Sequence, residues 1–439
     1  MSYPNVPIGM VFQVTNGATP KSGEENLWDG DIPWITPADL GRNTTAEIAN
    51  GARSITREGL NSCGTEIVPT GSIILSIRAP IGHTAIAAEP MCFNQGCRGL
   101  VPTKKMLTKF GYWAILSAKP ALQAAGQGTT FQELGRDKLR AVKIPLPNLL
   151  TQRRIADFLD RETARIDLLI EKKQRLVAVL GEREEGTFIE HVTGKDLPHD
   201  KRDSGVEWIK EIPVHWVAPK FTHAARQETG HTPSRKVEDY WVPEECVIPW
   251  VSLADVWQLR DGATIYVSET SEKISEVGMA HSAARLLPKD TVILSRTASV
   301  GFPAIMAKPM ATTQDFAAWI CSKQIRPLFL YYVLRAMKPE FRRLMMGSTH
   351  QTIYMPDIRS FRTPLPPLEE QDQITARLSS TIQVFRRSAM ALTKSIDRLK
   401  EYRAALITAA VTGQIDVDSY TRSGATDRRL DDIQEELSA

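Results

Sequence analysis

Pro145-Leu146-Pro147-Asn148-Leu149-Leu150-Thr151-Gln152 opens a long stretch of mixed charged and apolar residues that runs to about His191. Near the C-terminus, Pro364-Leu365-Pro366-Pro367-Leu368-Glu369-Glu370-Gln371 opens a second such stretch, to about Ala410. Both close on the same signal, Val192-Thr193-Gly194 and Val411-Thr412-Gly413. Pro145 and Pro364, Gln152 and Gln371, and Gly194 and Gly413 are each 219 positions apart, about half of the 439 residues. Solenoid repeats run to roughly 20–50 residues, so a period this long is a domain-plus-helix unit written twice.

The two long stretches read as helices. In the second, Leu378, Ile382, Phe385, Ala389, Leu392, Ile396, Leu399, Leu406 and Ala410 follow 4-3 spacing, broken by Arg403. That is a heptad seam. In the first, Ile155, Leu159, Ile166, Leu169, Leu176 and Leu180 do the same, with Glu162 and Lys173 interrupting. As opposite charges among apolar positions, Glu162 and Lys173 are expected to set register between the helices. Neither stretch holds a proline; Gly181 and Gly186 weaken the end of the first, at about 1 kcal/mol each. Each helix is expected to be about 55 Å long at 1.5 Å per residue. Length and paired occurrence favour two helices packed on each other over a core helix within one domain.

Residues 1–148 read as β-rich. Trp28-Asp29-Gly30-Asp31-Ile32-Pro33-Trp34-Ile35 is turn chemistry leading into a short strand. Pro69 to Gly71 is a turn feeding the β-branched strand Ile73-Ile74-Leu75-Ser76-Ile77. Ala79-Pro80-Ile81-Gly82 punctuates it, and Thr84-Ala85-Ile86-Ala87 is the return strand. Phe110 to Ala125 reads as the one clear helix of this block, with Trp113, Leu116 and Leu122 as its apolar face. Residues 195–366 repeat the order. Thr19-Pro20 recurs as Thr232-Pro233, Ile32-Pro33-Trp34-Ile35 as Ile248-Pro249-Trp250-Val251, and Asp39 as Asp255. Pro69, Leu75-Ser76, Gly82 and Gln95 recur as Pro288, Leu294-Ser295, Gly301 and Gln314. Between these anchors the blocks differ, so the frame is kept and the surface chemistry is changed. The fold expected is α+β: two similar β-rich domains joined by two long antiparallel helices in a coiled coil, a pseudo-twofold internal repeat.

The length suggests two or three domains, each able to bury its own core. No apolar run approaches the roughly 20 residues of a membrane span, and the start lacks a basic flank and apolar h-region, so no signal peptide is expected. Five cysteines (63, 92, 97, 246, 321) with no C-x-x-C pair favour reduced thiols in a cytoplasm over disulfides or zinc. The net charge is +3, but residues 1–148 carry 14 Lys+Arg against 11 Asp+Glu, and 195–366 carry 22 against 19. Residues 149–194 carry 8 against 9, and 367–439 carry 10 against 12. The positive excess therefore sits in the two β-rich blocks. It is small for a nucleic-acid binder working alone, so partners are expected to supply part of the phosphate neutralisation.

The sequence has no G-x-G-x-x-G, no G-x-x-x-x-G-K-[ST] loop, no G-x-S-x-G and no H-E-x-x-H. His215, His223 and His231 are evenly spaced, but Pro213 and Pro219 break any helix that would align them on a metal. Glu171-Lys172-Lys173 looks like the end of a nuclease site, yet it lies on a helix with no acidic strand before it, and reads as a solvated face. No asparagine or aspartate followed by a Pro-Pro pair and an aromatic is present, so no amino-methyltransferase motif appears.

The pattern resembles the specificity subunits of type I restriction–modification systems. The resemblance rests on the two P-L-P-x-L-x-x-Q-x-x-I entries, ending at Ile155 and Ile374, and the two V-T-G exits. Asp203-Ser204-Gly205-Val206-Glu207-Trp208-Ile209 with Ile212-Pro213-Val214-His215-Trp216 is similar to the phrase that opens a target recognition domain in that family. Ile74 to Gly82 and Ile293 to Gly301 are similar to its strand-turns. Block one lacks the opening phrase, and Gly128-Thr129-Thr130-Phe131 and Ser348-Thr349-His350-Gln351 differ in a loop where the family often has G-S/T-x-x. Ala317 and Ala318 follow Gln314 where a bulkier or basic residue is expected.

The resemblance implies target recognition domains over 1–148 and 195–366 (with 195–207 as a linker) and spacer helices over 149–194 and 367–415. Residues 416–439 read as an acidic tail, with a short helix expected over 428–437. It implies a non-catalytic DNA-reading subunit. Each domain would read half of a split target on double-stranded DNA. The helices would separate the domains by a fixed unread spacer and dock two methyltransferase subunits that carry S-adenosylmethionine and methylate adenine at N6. Motor-nuclease restriction subunits would join them. No cofactor is expected in this chain, and S-adenosylmethionine, ATP and magnesium belong to the partners. The competing readings are a nuclease or other enzyme with a non-motif site, and a structural adaptor.

Base edges in the major groove are met by Arg, Asn, Gln and Thr on loops. Arg78 and Arg296 follow the same strand in both halves, one residue out of the 219 register, which suits a shared phosphate contact. Thr129, Thr130, His350, Gln351 and Thr352 lie in the loop before the last strand of each block and are candidates for DNA contact. Lys21, Arg42, Arg53, Arg57, Arg235, Lys236 and Arg260 are the block-specific basic loop residues. Gln95 and Gln314 recur in register and read as structural.

Overall fold

The structure is a computed structural model that describes residues 3–126, 133–345 and 351–420. Two compact units divide the chain: unit 1 is Met1–Gln174 with Thr393–Ala439, and unit 2 is Arg175–Leu392.

In unit 1 the described strands are β1 (Asn5–Pro7), β2 (Phe12–Asn16), β3 (Trp28–Ile35), β4 (Glu47–Ile48), β5 (Arg53–Ile55), β6 (Ile73–Ser76), β7 (Thr84–Ala87), β8 (Cys92–Phe93), β9 (Cys97–Pro102) and β10 (Lys143–Pro145). They form a five-stranded sheet in the order β2-β9-β6-β7-β4 and a three-stranded sheet β5-β3-β8, and β1 pairs with β10. The short helices are α1 (Pro37–Arg42), α2 (Arg57–Ser62), α3 (Thr108–Ser117), α4 (Lys119–Ala125) and α5 (Arg136–Ala141); α6 (Leu149–Val192) follows. Strand β6 is buried on both faces, so its apolar run carries no alternation. The turn before it needs Gly71, whose φ is +82°.

Unit 2 opens with the hairpin β11 (Lys201–Asp203) and β12 (Glu211–Pro213), then α7 (Phe221–Ala224). Its further strands are β13 (Ala225–Thr229), β14 (Ile248–Val251), β15 (Tyr266–Val267), β16 (Glu272–Ile274), β17 (Val292–Ser295), β18 (Pro303–Met306), β19 (Ala311–Thr312) and β20 (Phe316–Cys321). Its further helices are α8 (Glu276–Ala280), α9 (Pro327–Ala336), α10 (Lys338–Met345), α11 (Met355–Ser360) and α12 (Leu368–Thr412). The sheets run β13-β20-β17-β18-β15 and β16-β14-β19, strand for strand the arrangement of unit 1.

The recurrent sequence anchors now have physical roles. Gln152 and Gln371 are fully buried at the entry to α6 and α12. Gln152 Oε1 accepts from the Leu107 backbone N–H at 2.8 Å, and its amide donates to the Lys105 and Pro147 carbonyls, both at 2.9 Å. Gln371 repeats the three bonds with Arg326 N–H (2.8 Å), Gln324 O and Pro366 O (both 2.9 Å). At the exits, Gly194 and Gly413 take φ of +70° and +74°. The Lys195 and Gln414 N–H groups reach back to the Glu190 and Ala409 carbonyls at 2.9 Å, which caps both helices in the Schellman manner. Asp39 and Asp255 sit in capping boxes with Thr36 and Ser252. Each also accepts from a distant backbone N–H, Ala52 at 3.1 Å and Ser271 at 2.6 Å.

The long helices pair antiparallel within each unit. In unit 1, Ile155, Leu159, Ile166 and Leu169 of α6 share a core with Ile396, Leu399, Leu406 and Ala410 of α12. In unit 2, Phe188 and Val192 of α6 share one with Ile374, Leu378 and Ile382 of α12. The expected seam departs at Leu176, which is 47% exposed. Past residue 180 the buried positions are Thr187, Phe188 and Val192, because the neighbours there include the β-rich part of unit 2: Phe188 stacks on Tyr332 with ring centroids 5.6 Å apart. Arg403, the break in the second seam, pairs with Asp167 across the helices at 2.8 Å. Glu162 is buried and held by Arg161 (3.1 Å) and Arg165 (3.5 Å) of its own helix.

Three other expectations are corrected. Phe110 to Ala125 is two helices, α3 and α4, because Pro120 has no N–H to donate and clashes with the preceding turn. Pro339 breaks α9 from α10 at the equivalent place. Trp28 to Ile35 is one strand with an irregularity between Trp28 and Ile32, where Asp29 takes φ of +59°. Residues 195–207, expected as a linker, run into the β11–β12 hairpin. Its turn is closed by Ser204 N–H to Lys210 O at 2.8 Å and by Gly205 N–H to the Asp203 carboxylate at 2.8 Å. Of the acidic tail, residues 416–420 dock on unit 1, with Asp418 2.6 Å from Arg154 and the Tyr420 hydroxyl 2.8 Å from that of Tyr402. The helix expected over 428–437 lies outside the described residues.

Replacing Gln152 with leucine keeps the volume and strands one buried N–H and two carbonyls. This should cost about 3 kcal/mol and speed exchange of the Leu107 amide about 100-fold, read by hydrogen exchange. Gly194→Ala should destabilise more than Gly205→Ala in urea unfolding. Both glycines have positive φ, costing about 1 kcal/mol, but a Cβ at 194 would lie 2.8 Å from Pro213 and 2.9 Å from Trp216, whereas at 205 it meets nothing within 4 Å.

Candidate nucleic-acid interface

In both units the buried strand that follows the turn (β6, β17) runs out into a short backbone ladder. Ile77 N–H donates to Gly96 O at 2.9 Å and Leu134 N–H to Ile77 O at 2.8 Å; Arg296 N–H donates to Asp315 O and Ile353 N–H to Arg296 O, both at 2.8 Å. The counterpart of Arg296 is therefore Ile77. Arg78 is matched by Thr297, since the bridges Arg78–Glu133 and Thr297–Thr352 are equivalent. This corrects the expectation of one shared arginine position: a shift of one residue along an extended chain turns the side chain to the other face.

In unit 2 a cleft of about 830 Å³ is lined by Arg226, Arg285, Arg296, Arg359, His231 and Gln314, among others. Four guanidinium groups face one carboxylate there, Glu228, which lies 3.0 Å from Arg285 and 3.5 Å from Arg226. Arg296 is half-buried and pre-set by two carbonyls: its Nε donates to Gln314 O at 2.9 Å and its Nη1 to Ile353 O at 3.4 Å. Gln314 in turn accepts from Thr232 Oγ1 at 2.8 Å. Gln351 is exposed, and its carbonyl accepts from Ala298 N–H at 2.8 Å.

In unit 1 the same region is built from different side chains. Arg78 lies 3.1 Å from Glu133. Arg98 donates from Nη1 to the Cys97 and Gln95 carbonyls at 3.0 and 3.2 Å. Arg136 donates to Val14 O at 3.1 Å. Burial lowers the pKa of Arg98, Glu133 works against that, and Arg136 and Arg78 add to it. Three guanidinium groups thus gather about one carboxylate. The Thr19 hydroxyl bonds Gln95, as Thr232 bonds Gln314, so both recurrent glutamines tie the loop after the first sheet strand to this turn.

The basic loop residues singled out from the sequence are spread around the two units. Lys21 pairs with Glu24 at 2.9 Å. Arg53 lies over the Trp28 ring at 3.8 Å, and Arg235 lies over Trp241 at 3.8 Å while pairing with Glu272 at 2.8 Å. Arg42, Arg57, Lys236 and Arg260 are exposed at the ends of short helices and loops. Thr129, Thr130 and His350 lie outside the described residues. Arg98, Arg136, Arg226, Arg285 and Arg359 escaped the sequence reading. One signal was present for them: Arg359 recurs in register with Arg140, 219 positions apart.

Arginine forks aimed by carbonyls suit phosphate oxygens and the O6/N7 edge of guanine. Among the described residues no group of three or more His, Cys, Asp or Glu could hold a metal ion. Burial pushes the Cys92 and Cys321 thiols up to about 12, so neither is a nucleophile at neutral pH. No described helix is long and apolar enough to cross a membrane.

A family model for the type I restriction modification DNA specificity domain matches residues 3–178 and 225–395. The type I restriction enzyme MjaIX specificity subunit of Methanocaldococcus jannaschii is 29% identical over 419 residues, covering 93% of this chain and 92% of that one. A chain solved in work on complex assembly and conformational transition of the type I R-M system superposes with a TM-score of 0.68 at 17% identity, over 94% of this chain and 98% of that one. The crystal structure of the HsdS subunit from Thermoanaerobacter tengcongensis gives 0.54 at 16% identity, over 94% and 97%; at these identities the likeness speaks of the fold. With most of both β-rich blocks and of both long helices inside the matched residues, the chain belongs to the type I restriction–modification DNA specificity family.

Proposed function

We propose that this chain is the DNA-reading subunit of a type I restriction–modification complex and reads a two-part target, one half with each arginine-lined face. The observation that carries this reading is the repeated frame with unlike side chains at equivalent places. Unit 1 presents Arg78, Arg98 and Arg136 about Glu133; unit 2 presents Arg226, Arg285, Arg296 and Arg359 about Glu228. A repeated frame presents DNA with two similar docking geometries. Unlike side chains then ask for unlike bases, so the two halves of the target differ, with unread base pairs between them.

Roles follow from how each arginine is held. Arg296, fixed by two carbonyls, is set to read a base edge with little ordering cost. Arg359 is exposed and suits a phosphate. Arg78 keeps its phosphate role only in unit 1, where Glu133 orients it. The chain's +3 charge is too small to neutralise a long duplex footprint, so the partners supply the rest. Those partners are two methyltransferase subunits bringing S-adenosylmethionine and, in the cleaving complex, restriction subunits using ATP and magnesium. This chain supplies no catalytic group.

Methyl transfer to a sequence-specific site should appear when the chain is combined with its methyltransferase partner and be absent with the chain alone; methylation by the chain alone would defeat the proposal. In that complex Arg359→Ala should weaken all DNA sequences alike and lower the slope of log K against log salt by about 0.9. Arg296→Ala should instead cost about 1–3 kcal/mol at one base pair and relax the preference there. Exchanging residues 1–148 for those of a relative should alter one half of the methylated site and leave the other unchanged, as read by methylation profiling.

A further inference from the structure

Among the described residues, an ion pair joins the long helices in each unit. In unit 1, Arg403 of α12 sets Nε and Nη2 on the two oxygens of Asp167 of α6, at 2.8 and 3.0 Å. In unit 2, Arg386 of α12 donates to Glu184 of α6 at 3.1 Å, and Arg335 of α9 approaches the same oxygen at 3.6 Å. The residue numbers of both helix-to-helix pairs have one sum, since 167 + 403 and 184 + 386 are each 570. Under the 219 repeat, Asp167 is equivalent to Arg386 and Glu184 to Arg403. At both equivalent positions α6 is acidic and α12 is basic.

Apolar positions do not distinguish the helices in this way. Ile155 and Ile374, Leu159 and Leu378, and Val192 and Val411 are the same residue at the same repeat position, and all are buried. Two copies of α6 laid antiparallel in this register would keep these shared side chains in the seam, with Thr163 and Thr187 where α12 has Ile382 and Leu406. They would set Asp167 of each against Glu184 of the other. Two copies of α12 would set Arg386 against Arg403, again twice. Each like pair replaces an attraction with a repulsion, and at the partly buried Glu184–Arg386 site salt screens it less than on open surface.

We propose that Asp167, Glu184, Arg386 and Arg403 form a charge code by which each long helix accepts the other and rejects a second copy of itself. The partner this surface fits is the opposite long helix, in this chain or in a second copy. A repeat protein whose halves share one frame meets a standing hazard, the pairing of like halves into symmetric assemblies, and the code works against it.

The test uses the full-length chain with a protease site placed at the exposed turn containing Gly205. The folded protein is cut, preparations with different tags on the first piece are mixed in urea, and the pieces are refolded together. First-with-second pairs should exceed first-with-first pairs. The set Asp167→Asn, Glu184→Gln, Arg386→Gln and Arg403→Gln should raise the like-pair fraction about tenfold. An unchanged fraction overturns the proposal. A second measurement needs no cutting. Asp167→Arg with Glu184→Arg, and Arg386→Glu with Arg403→Glu, should each lower the urea midpoint of the intact chain, and all four reversals together should restore much of the loss. A fourfold variant no more stable than either double overturns it too.

Discussion

A glutamine with no exposed surface and three backbone partners stands where each β-rich block becomes a helix. The segments at 105–107 and 324–326 run past the helix entries without a sheet or helix to take up all their polar groups. An unpaired N–H or carbonyl buried there would cost on the order of 1–3 kcal/mol. Glutamine carries one acceptor and a two-hydrogen donor on one rigid plane, which is what one N–H and two carbonyls require. Glutamate cannot donate when ionised, and asparagine is one methylene shorter. The bond set ties the first turn of each long helix to the block before it.

From that junction the units diverge in a graded way. Groups that satisfy backbone are repeated in kind and in chain order: the capping aspartates 39 and 255, the threonine–glutamine ties 19–95 and 232–314, the glycine exits 194 and 413. The helix seam repeats in part, Ile155 with Ile374 and Leu159 with Leu378, then parts where Phe188 leans on Tyr332. Most exposed charges do not repeat, the exposed pair Arg140 and Arg359 being an exception. Backbone satisfaction depends on geometry common to both copies, whereas surface side chains answer to whatever each copy faces. The arrangement therefore preserves a scaffold and changes what it reads.

This grading also explains what could be read in the chain before any coordinates. Anchors from Pro69 onward keep one spacing, so the twofold repeat, both long helices and the β6–β7 return were visible from the 219 offset and local turn chemistry. The β11–β12 hairpin was not, because its turn-rich residues look like a linker until Asp203 and Lys210 are seen closing it. The helix break before Pro120 was legible and was passed over, the apolar face on either side being continuous. The candidate interface was the least visible part. It is assembled from β13, the turn after β17 and α11, residues far apart in sequence, and the one-residue shift between Arg78 and Arg296 hid that they point to different faces. Arg53 and Arg235 looked like free loop cations but spend their planar faces on Trp28 and Trp241.

Unit 1 is discontinuous, and this sets an order for its making. During synthesis residues 1–174 emerge first, yet the apolar row Ile155, Leu159, Ile166 and Leu169 has its cover on residues 396–410, and Arg154 meets Asp418 only after α12 has been made. Unit 2, a continuous segment, can close before unit 1 can. At roughly 5–20 residues per second, the first half waits about 10–45 s with that row uncovered. The nascent chain over this interval is an exposed amphipathic helix seeking a partner, and α12 is the helix that completes the first domain begun.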